Sequence, residues 1–206
     1  AGARYNGFNV VYAEDGTLQI AYMERDVPTW NEPETILADP ELNHDSLHLI
    51  ADSESRYHIA FNALGDPFSI QHMYSEDGGI TWTEPEPVSG DLGGTSTPTL
   101  AAGESGAVHM VFSSGGDMPR NASTSIGITI DPNNRAHIAW GALDGLYYTY
   151  DSGDGIWRVP VQINDLTHTG TGPALAIDAS GVVHMIYNDE SGDNDLFYIN
   201  FTPPLD

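Results

Sequence analysis

The 206-residue chain has six Arg, no Lys and 30 Asp plus Glu, a formal charge of −24, and a field of that sign repels nucleic acid and anionic membrane surfaces. The absence of Cys excludes disulfides, thiolate metal sites and a cysteine nucleophile. No apolar run approaches the roughly 18 residues of a membrane span, while 22 Gly and 13 Pro call for the many turns of a short-stranded, all-β fold. The acidity has three readings: a surface suited to high salt, a set of calcium sites, or a cation-binding face. No leader segment is read at the start, so an exported form would be the mature chain. Asn121-Ala122-Ser123 and Asn200-Phe201-Thr202 have the form of glycosylation sequons.

In chain order, the first predicted strand is Asn9-Val10-Val11-Tyr12, followed by a turn at Glu14 and Asp15, a strand ending at Tyr22, and then Trp30 and Pro33. The next stretch begins a pattern that returns three more times: an apolar strand, a small or acidic turn residue, then His, two apolar residues and an aromatic. The copies run from Leu49-Ile50-Ala51-Asp52 to His58-Ile59-Ala60-Phe61, and from Leu100-Ala101-Ala102-Gly103 to His109-Met110-Val111-Phe112. They continue from Ile128-Thr129-Ile130-Asp131 to His137-Ile138-Ala139-Trp140, and from Leu175-Ala176-Ile177-Asp178 to His184-Met185-Ile186-Tyr187. In each, the turn residue lies six positions before the His, and Asn9 takes the His position in the first copy.

Three copies continue alike: a strand with a late Tyr (Tyr22, Tyr74, Tyr150), a turn, then Trp and Pro three residues apart. Each full copy thus supplies four short antiparallel strands, here A to D, in a unit of roughly 40–50 residues. The His-equivalent positions are spaced 49, 51, 28 and 47 residues apart. The short interval means that the third copy lacks strands C and D, either through a true truncation or because about twenty residues are missing there. One domain, 1–206, is expected, with repeats at about 1–40, 41–92, 93–121, 122–164 and 165–206.

Ser75-Glu76-Asp77-Gly78-Gly79-Ile80-Thr81-Trp82 matches the pattern Ser-x-Asp-x-Gly-x-x-Trp and resembles the Asp-box (BNR repeat) of the sialidase superfamily. Tyr150 to Trp157 is a version one residue short, and Met23 to Trp30 keeps only the Trp. The resemblance implies a β-propeller of four-stranded antiparallel blades, about 4.5 to 5 repeats being visible with one truncated. It implies a structural role for Ser75, Asp77, Gly79 and Trp82 on the face opposite the ligand site. The family's enzymes use three arginines as a carboxylate clamp, which suits the bidentate guanidinium. Here Arg56 and Arg135 fall in A-to-B turns and Arg25 in a C-to-D turn, on the Asp-box face, so no such clamp is identifiable and no catalytic residue is assigned.

The opposite face is expected to carry ligand-binding residues Asp15, Asp66 and Asp144 from B-to-C loops, with His44 and His168 from D-to-A loops. Asp189, Asp193 and Asp195 form the densest oxygen-rich run and would suit calcium, although no cofactor is required. The recurring histidines are expected to pack between blades with a hydrogen bond rather than to hold a metal. The resulting expectation is a secreted or cell-surface, non-catalytic propeller that binds a glycan or protein ligand through its acidic loop face, with an oligomer or partner chain completing the ring. The alternatives are a divergent glycoside hydrolase or polysaccharide lyase on the same scaffold, and a structural surface or assembly subunit.

Overall fold

The computed structural model describes residues 8–24, 26–27, 29–39, 44–63, 69–90, 95–114, 126–142, 144–164, 170–189 and 195–203. Within them the chain is all β, in five separate antiparallel sheets. The first holds β1 (Phe8–Glu14), β2 (Thr17–Met23) and β3 (Glu34–Ala38). The second holds β4 (His44–Ala51), β5 (Tyr57–Ala63), β6 (Ser69–Ser75) and β7 (Glu86–Pro87). A two-stranded hairpin follows, β8 (Thr95–Ala102) with β9 (Val108–Ser114). The fourth sheet is β10 (Ile126–Ile130), β11 (Ala136–Ala142), β12 (Gly145–Tyr150) and β13 (Val161–Gln162). The fifth is β14 (Gly170–Ile177), β15 (Val183–Asp189) and β16 (Leu196–Phe201). Each sheet is a simple meander, and the five fall on the five copies read from the sequence; the two-stranded sheet coincides with the short third copy.

The turn between the first two strands of a copy explains the six-residue spacing. The third residue after the turn residue takes a left-handed conformation: Ser55, Gly106, Asn134 and Gly181 have φ of 64°, 77°, 62° and 79°. The Asp carboxylate then caps the turn, accepting backbone N–H bonds from Glu54 and Arg56 at Asp52, from Asn133 and Arg135 at Asp131, and from Ser180 and Val182 at Asp178. The first strand of a copy also has a feature that the pattern did not announce. Six residues before the turn residue, Ser46, Thr97 and Gly172 have φ of 54°, 29° and 59°. At Ser46 and Gly172 this coincides with a shift of register, the mark of a bulge that bends the strand.

The chain divides into two compact units, Ala1–Leu100 with Ser114–Gly116, and Ala101–Ser113 with Asp117–Asp206. Alternation with period two gives each sheet two apolar faces, so that each is able to pack on both sides. In the first unit the core is Leu18 of β2 against Ile59, Phe61, Ala63 and Met73 of the second sheet, with Val11, Leu49 and Trp82 packed around it. In the second unit Ala139, Leu146, Tyr148 and Tyr150 of the fourth sheet meet Val183, Met185 and Tyr187 of the fifth. There the Tyr148 and Phe201 rings meet edge-on, centroids 4.8 Å apart, an arrangement worth about 0.5–1.5 kcal/mol beyond its buried area. The sheets approach closely because Gly127 and Gly141 have no side chain. A Cβ at Gly127 would collide with the Pro173 carbonyl, and one at Gly141 with the Gly170 carbonyl.

Candidate functional site

The loop end of the fourth sheet is the best-defined polar and aromatic cluster with no evident role in the core. Ala142 pairs with Gly145, so β11 and β12 are joined by Leu143 and Asp144 alone. Gly145 has φ of 153°, and a Cβ there would collide with Gln162 Nε2. Gln162 donates to the Asp144 carbonyl at 2.9 Å, and the Asn164 side-chain oxygen accepts from the Leu146 N–H at 2.6 Å. The tip is therefore held from β13 and just beyond it. On this support the Tyr147 hydroxyl donates to Asp144 Oδ2 at 3.0 Å. That bond, with smaller help from desolvation and from the carboxylate's charge, raises the Tyr147 pKa and keeps the phenol protonated.

Tyr147 is the cross-strand partner of Trp140, and their rings lie 5.8 Å apart at an interplanar angle of 18°. Both are only half-buried. The equivalent pair of the second sheet is Phe61 with Gln71, of which Phe61 is fully buried. In the fifth sheet it is Tyr187 with Phe197, and Tyr187 is 6% exposed. Trp140 is thus more open than its equivalents Phe61 and Tyr187, while Tyr12 and Phe112 of the first and third copies are half-buried as it is. The fourth copy follows the short copy, and no third or fourth strand is found after β9 among the described residues.

Asp15, like Asp144, occupies a two-residue hairpin tip. Glu14 pairs with Thr17, and Asp15 and Gly16 have φ of 48° and 75°, the two positive angles of a type I′ turn. Asp15 lies in the first compact unit and Asp144 in the second. His44 opens β4, but its side chain, like Asp66, His168 and Asp193, lies outside the described residues. Asp189 ends β15 with 6% exposure, and its N–H donates to the Asp195 carbonyl at 3.0 Å; Asp195 is exposed. Among the described residues no group of three His, Asp or Glu is placed to hold a metal.

The Ser75–Trp82 turn is a dense hydrogen-bonded unit. Asp77 Oδ1 accepts from the Ser75 hydroxyl and from the Ile80 and Thr81 N–H groups, while Oδ2 accepts from the Thr81 hydroxyl at 2.7 Å. The Thr81 bonds are the main cause that lowers the Asp77 pKa to about 2. Gly78 and Gly79 have φ of 75° and 84°. The Trp82 indole donates to the Gly79 carbonyl at 3.2 Å and packs on the first unit's core. These groups satisfy one another within the turn.

The hydrogen-bonded histidines His58, His137 and His184 find their partners within their own sheet. His58 Nδ1 lies 3.1 Å from His72 Nε2, His137 Nδ1 2.6 Å from the Tyr148 hydroxyl, and His184 Nδ1 2.7 Å from the Tyr198 hydroxyl. On the other side, His58 and His184 reach Asp52 and Asp178 at 3.3 Å. His137 Nε2 approaches Asp131 at 3.5 Å, an electrostatic contact without hydrogen-bond geometry. The reason is alternation: the partner on the third strand of a copy is a diagonal neighbour on the same face. In the third copy Gly103 replaces the Asp. The Asn134 side-chain oxygen fills the place of the missing Cβ, held by the Ser105 hydroxyl at 2.8 Å, and the buried His109 Nε2 has no hydrogen-bond partner among the described residues.

Arg56 and Arg135 are committed to these turns. Each lays Nε and Nη2 on the Asp four residues earlier, at 2.7 and 2.6 Å. Burial works to raise the pKa values of Asp52 and Asp131, but the bonds from Arg56 and Arg135 prevail and lower both.

No protein-family model matches the chain, and no curated protein matches it. Solved structures do. A lectin from Burkholderia pseudomallei superposes with a TM-score of 0.67 at 15% identity, over 98% of this chain and 65% of the lectin. A Hadza microbial sialidase gives 0.55 at 15% identity, over 90% of this chain and 44% of the sialidase. An endo-arabinase from Bacteroides thetaiotaomicron gives 0.54 at 11% identity, over 98% and 90%. The chain therefore spans less than two thirds of the lectin and under half of the sialidase. At these identities the likeness is one of fold: the chain is an all-β protein of consecutive antiparallel sheets whose structural neighbours are β-propeller proteins.

Proposed function

We propose that the chain is an Asp-box-type β-propeller domain, exported or displayed at the cell surface, that binds a glycan without turning it over. The observation that carries the reading is the half-open Trp140–Tyr147 pair beside the Asp144 carboxylate. Aromatic faces take the C–H faces of a sugar, and a carboxylate whose geometry is already set accepts from sugar hydroxyls. The tip is stiffened by Gln162 and Asn164, which lowers the ordering cost of binding. That the neighbours in fold include a lectin, a sialidase and an endo-arabinase supports a carbohydrate ligand.

Binding without turnover is supported by the carboxylates. A glycosidic general acid needs a raised pKa. The carboxyl groups of Asp52, Asp77, Asp131, Asp154 and Asp178 all have their pKa values lowered, and each belongs to a hairpin turn. Arg56 and Arg135 are occupied by Asp52 and Asp131, so they are not available as a clamp. Asp189, Asp193 and Asp195 are the residues we assign to calcium, should the loop take an ion. A glycan array run with and without calcium tests the proposal. Binding to a restricted set of glycans, with no reducing ends released on incubation, is the expected result; no binding in either condition overturns it.

A further inference from the structure

The Asp144 tip spends its donors internally and leaves an acceptor for solvent. The Tyr147 hydroxyl gives its proton to Asp144 Oδ2 at 3.0 Å, and Gln162 Nε2 donates to the Asp144 carbonyl at 2.9 Å. Asp144 itself is exposed, and its Oδ1 accepts no hydrogen bond among the described residues. The carboxylate is thus presented with one oxygen fixed in place and the other free.

Among the described residues of this unit, no fixed cation stands beside that charge. The chain has no Lys and six Arg. Arg135 directly precedes β11 and Asp144 lies beyond its end, so the seven residues of the strand hold them roughly 23 Å apart. Arg135 is also occupied by Asp131. Arg158 donates its N–H to the Tyr150 carbonyl, at the far end of β12 from Gly145, and its charge acts on Asp154 in the turn at that end. Arg4, Arg25 and Arg120 lie outside the described residues.

The formal charge of −24 adds a field that draws cations and repels anions. A sugar with a carboxylate would bring like charge against Asp144 with no guanidinium to bridge the two, and such a juxtaposition is costly. A neutral sugar meets no such repulsion and donates its hydroxyl protons to Oδ1. An ammonium donates charge-assisted bonds about twice as strong, and it is also attracted to aromatic faces such as those of Trp140 and Tyr147. We propose that the Asp144 site ranks glycans by charge: amino sugars with a free ammonium bind best, neutral sugars next, and uronic or sialic acids least. This ranking rests on the glycan reading, to which it adds the class of sugar.

Matched pairs on a glycan array, at neutral pH and low salt, test it: glucose against glucuronic acid, galactose with and without a sialic acid cap, and glucosamine against N-acetylglucosamine. In each pair that is bound, the more positive member is expected to bind at least about tenfold more tightly by calorimetry, the size of a charge contact in partly solvated surroundings. Raising the salt from about 0.01 to about 1 M shortens the Debye length from about 30 to about 3 Å and should compress the ranking. Asp144→Asn keeps an acceptor for Tyr147 but removes the charge, and it is expected to narrow the ratio within every pair. Trp140→Ala should instead weaken all three classes together. Acidic sugars bound as well as their neutral partners, or a ranking that Asp144→Asn leaves intact, would overturn the charge proposal while glycan binding stands. Absence of binding to every member would remove the glycan reading and this ranking with it.

Discussion

Arg135 reaches back across four residues to place Nη2 2.6 Å from Asp131 Oδ2, on a carboxylate only 2% exposed. The same carboxylate caps its own hairpin through the Asn133 and Arg135 N–H groups. Removing it strands a partly buried guanidinium and two turn donors at once. Asp131→Ala is therefore expected to cost about 3 kcal/mol in urea unfolding. Asp178→Ala, at a turn where the carboxylate is 42% exposed and no arginine is engaged, should leave the midpoint near that of wild type. Equal losses at both sites would contradict this reading of the turn.

Burial lowers the pKa values of His58, His72 and His137 below the ordinary 6.5, against the pull of Asp52 on His58 and of Asp131 on His137. The unfolded chain thus takes up protons that the folded one refuses. Stability should be full above about pH 6.5 and fall as the pH drops below it. Asp52 and Asp131, with pKa values below 3.8, stay ionised through that window and do not offset the loss. Urea midpoints measured from pH 7.5 to 5 check this; a flat profile would count against neutral buried histidines.

Gly141 sits where the β14 backbone crosses β11, and its absent side chain is what lets the Gly170 carbonyl approach. Gly141→Ala should destabilise by about 1–3 kcal/mol through overpacking, read from thermal or urea unfolding. Gly181→Ala meets no neighbour within 4 Å, and its cost comes from φ of 79° alone. A Gly141→Ala protein as stable as wild type would mean that the two sheets pack less closely than described.

The Asp77 carboxylate is engaged by Ser75, Ile80 and Thr81, and its pKa of about 2 keeps these bonds through mild acid. Asp77→Asn loses charge and half its acceptor capacity, so faster amide exchange at Ile80 and Thr81 is expected. Glycan binding at the Asp144 loop, which belongs to the other unit, should be unaffected. Unchanged exchange would show that the turn does not depend on the carboxylate.

Much of the fold was legible because it repeats. Asp52, Asp131 and Asp178 stand six residues before a His for a reason that a sequence exposes: a capped hairpin with one left-handed residue, followed by an alternating strand. The Asp-Gly pairs at 15–16 and 144–145 likewise mark hairpin tips. Other features leave no such trace. Ser46 and Thr97 carry positive φ without a glycine to announce it. The bond from His137 to Tyr148 depends on cross-strand register, and the insertion of Asn134 at Gly103 on contact between hairpins distant in sequence. As for the site, Asp144 was identified as an acid in a loop. Its tie to Tyr147 and Trp140 was missed because Trp140 reads as one more core aromatic of the repeat, and only its partial exposure separates it from Phe61.

Calorimetric titration of the best array ligand into wild type, Trp140→Ala and Trp157→Ala tests whether the Trp140–Tyr147–Asp144 cluster takes a glycan. Trp157 is 45% exposed in the turn after β12 and serves as the control. Trp140→Ala is expected to lose at least tenfold in affinity, with Trp157→Ala unchanged and both variants folded. A Trp140→Ala protein that binds as tightly as wild type would contradict it.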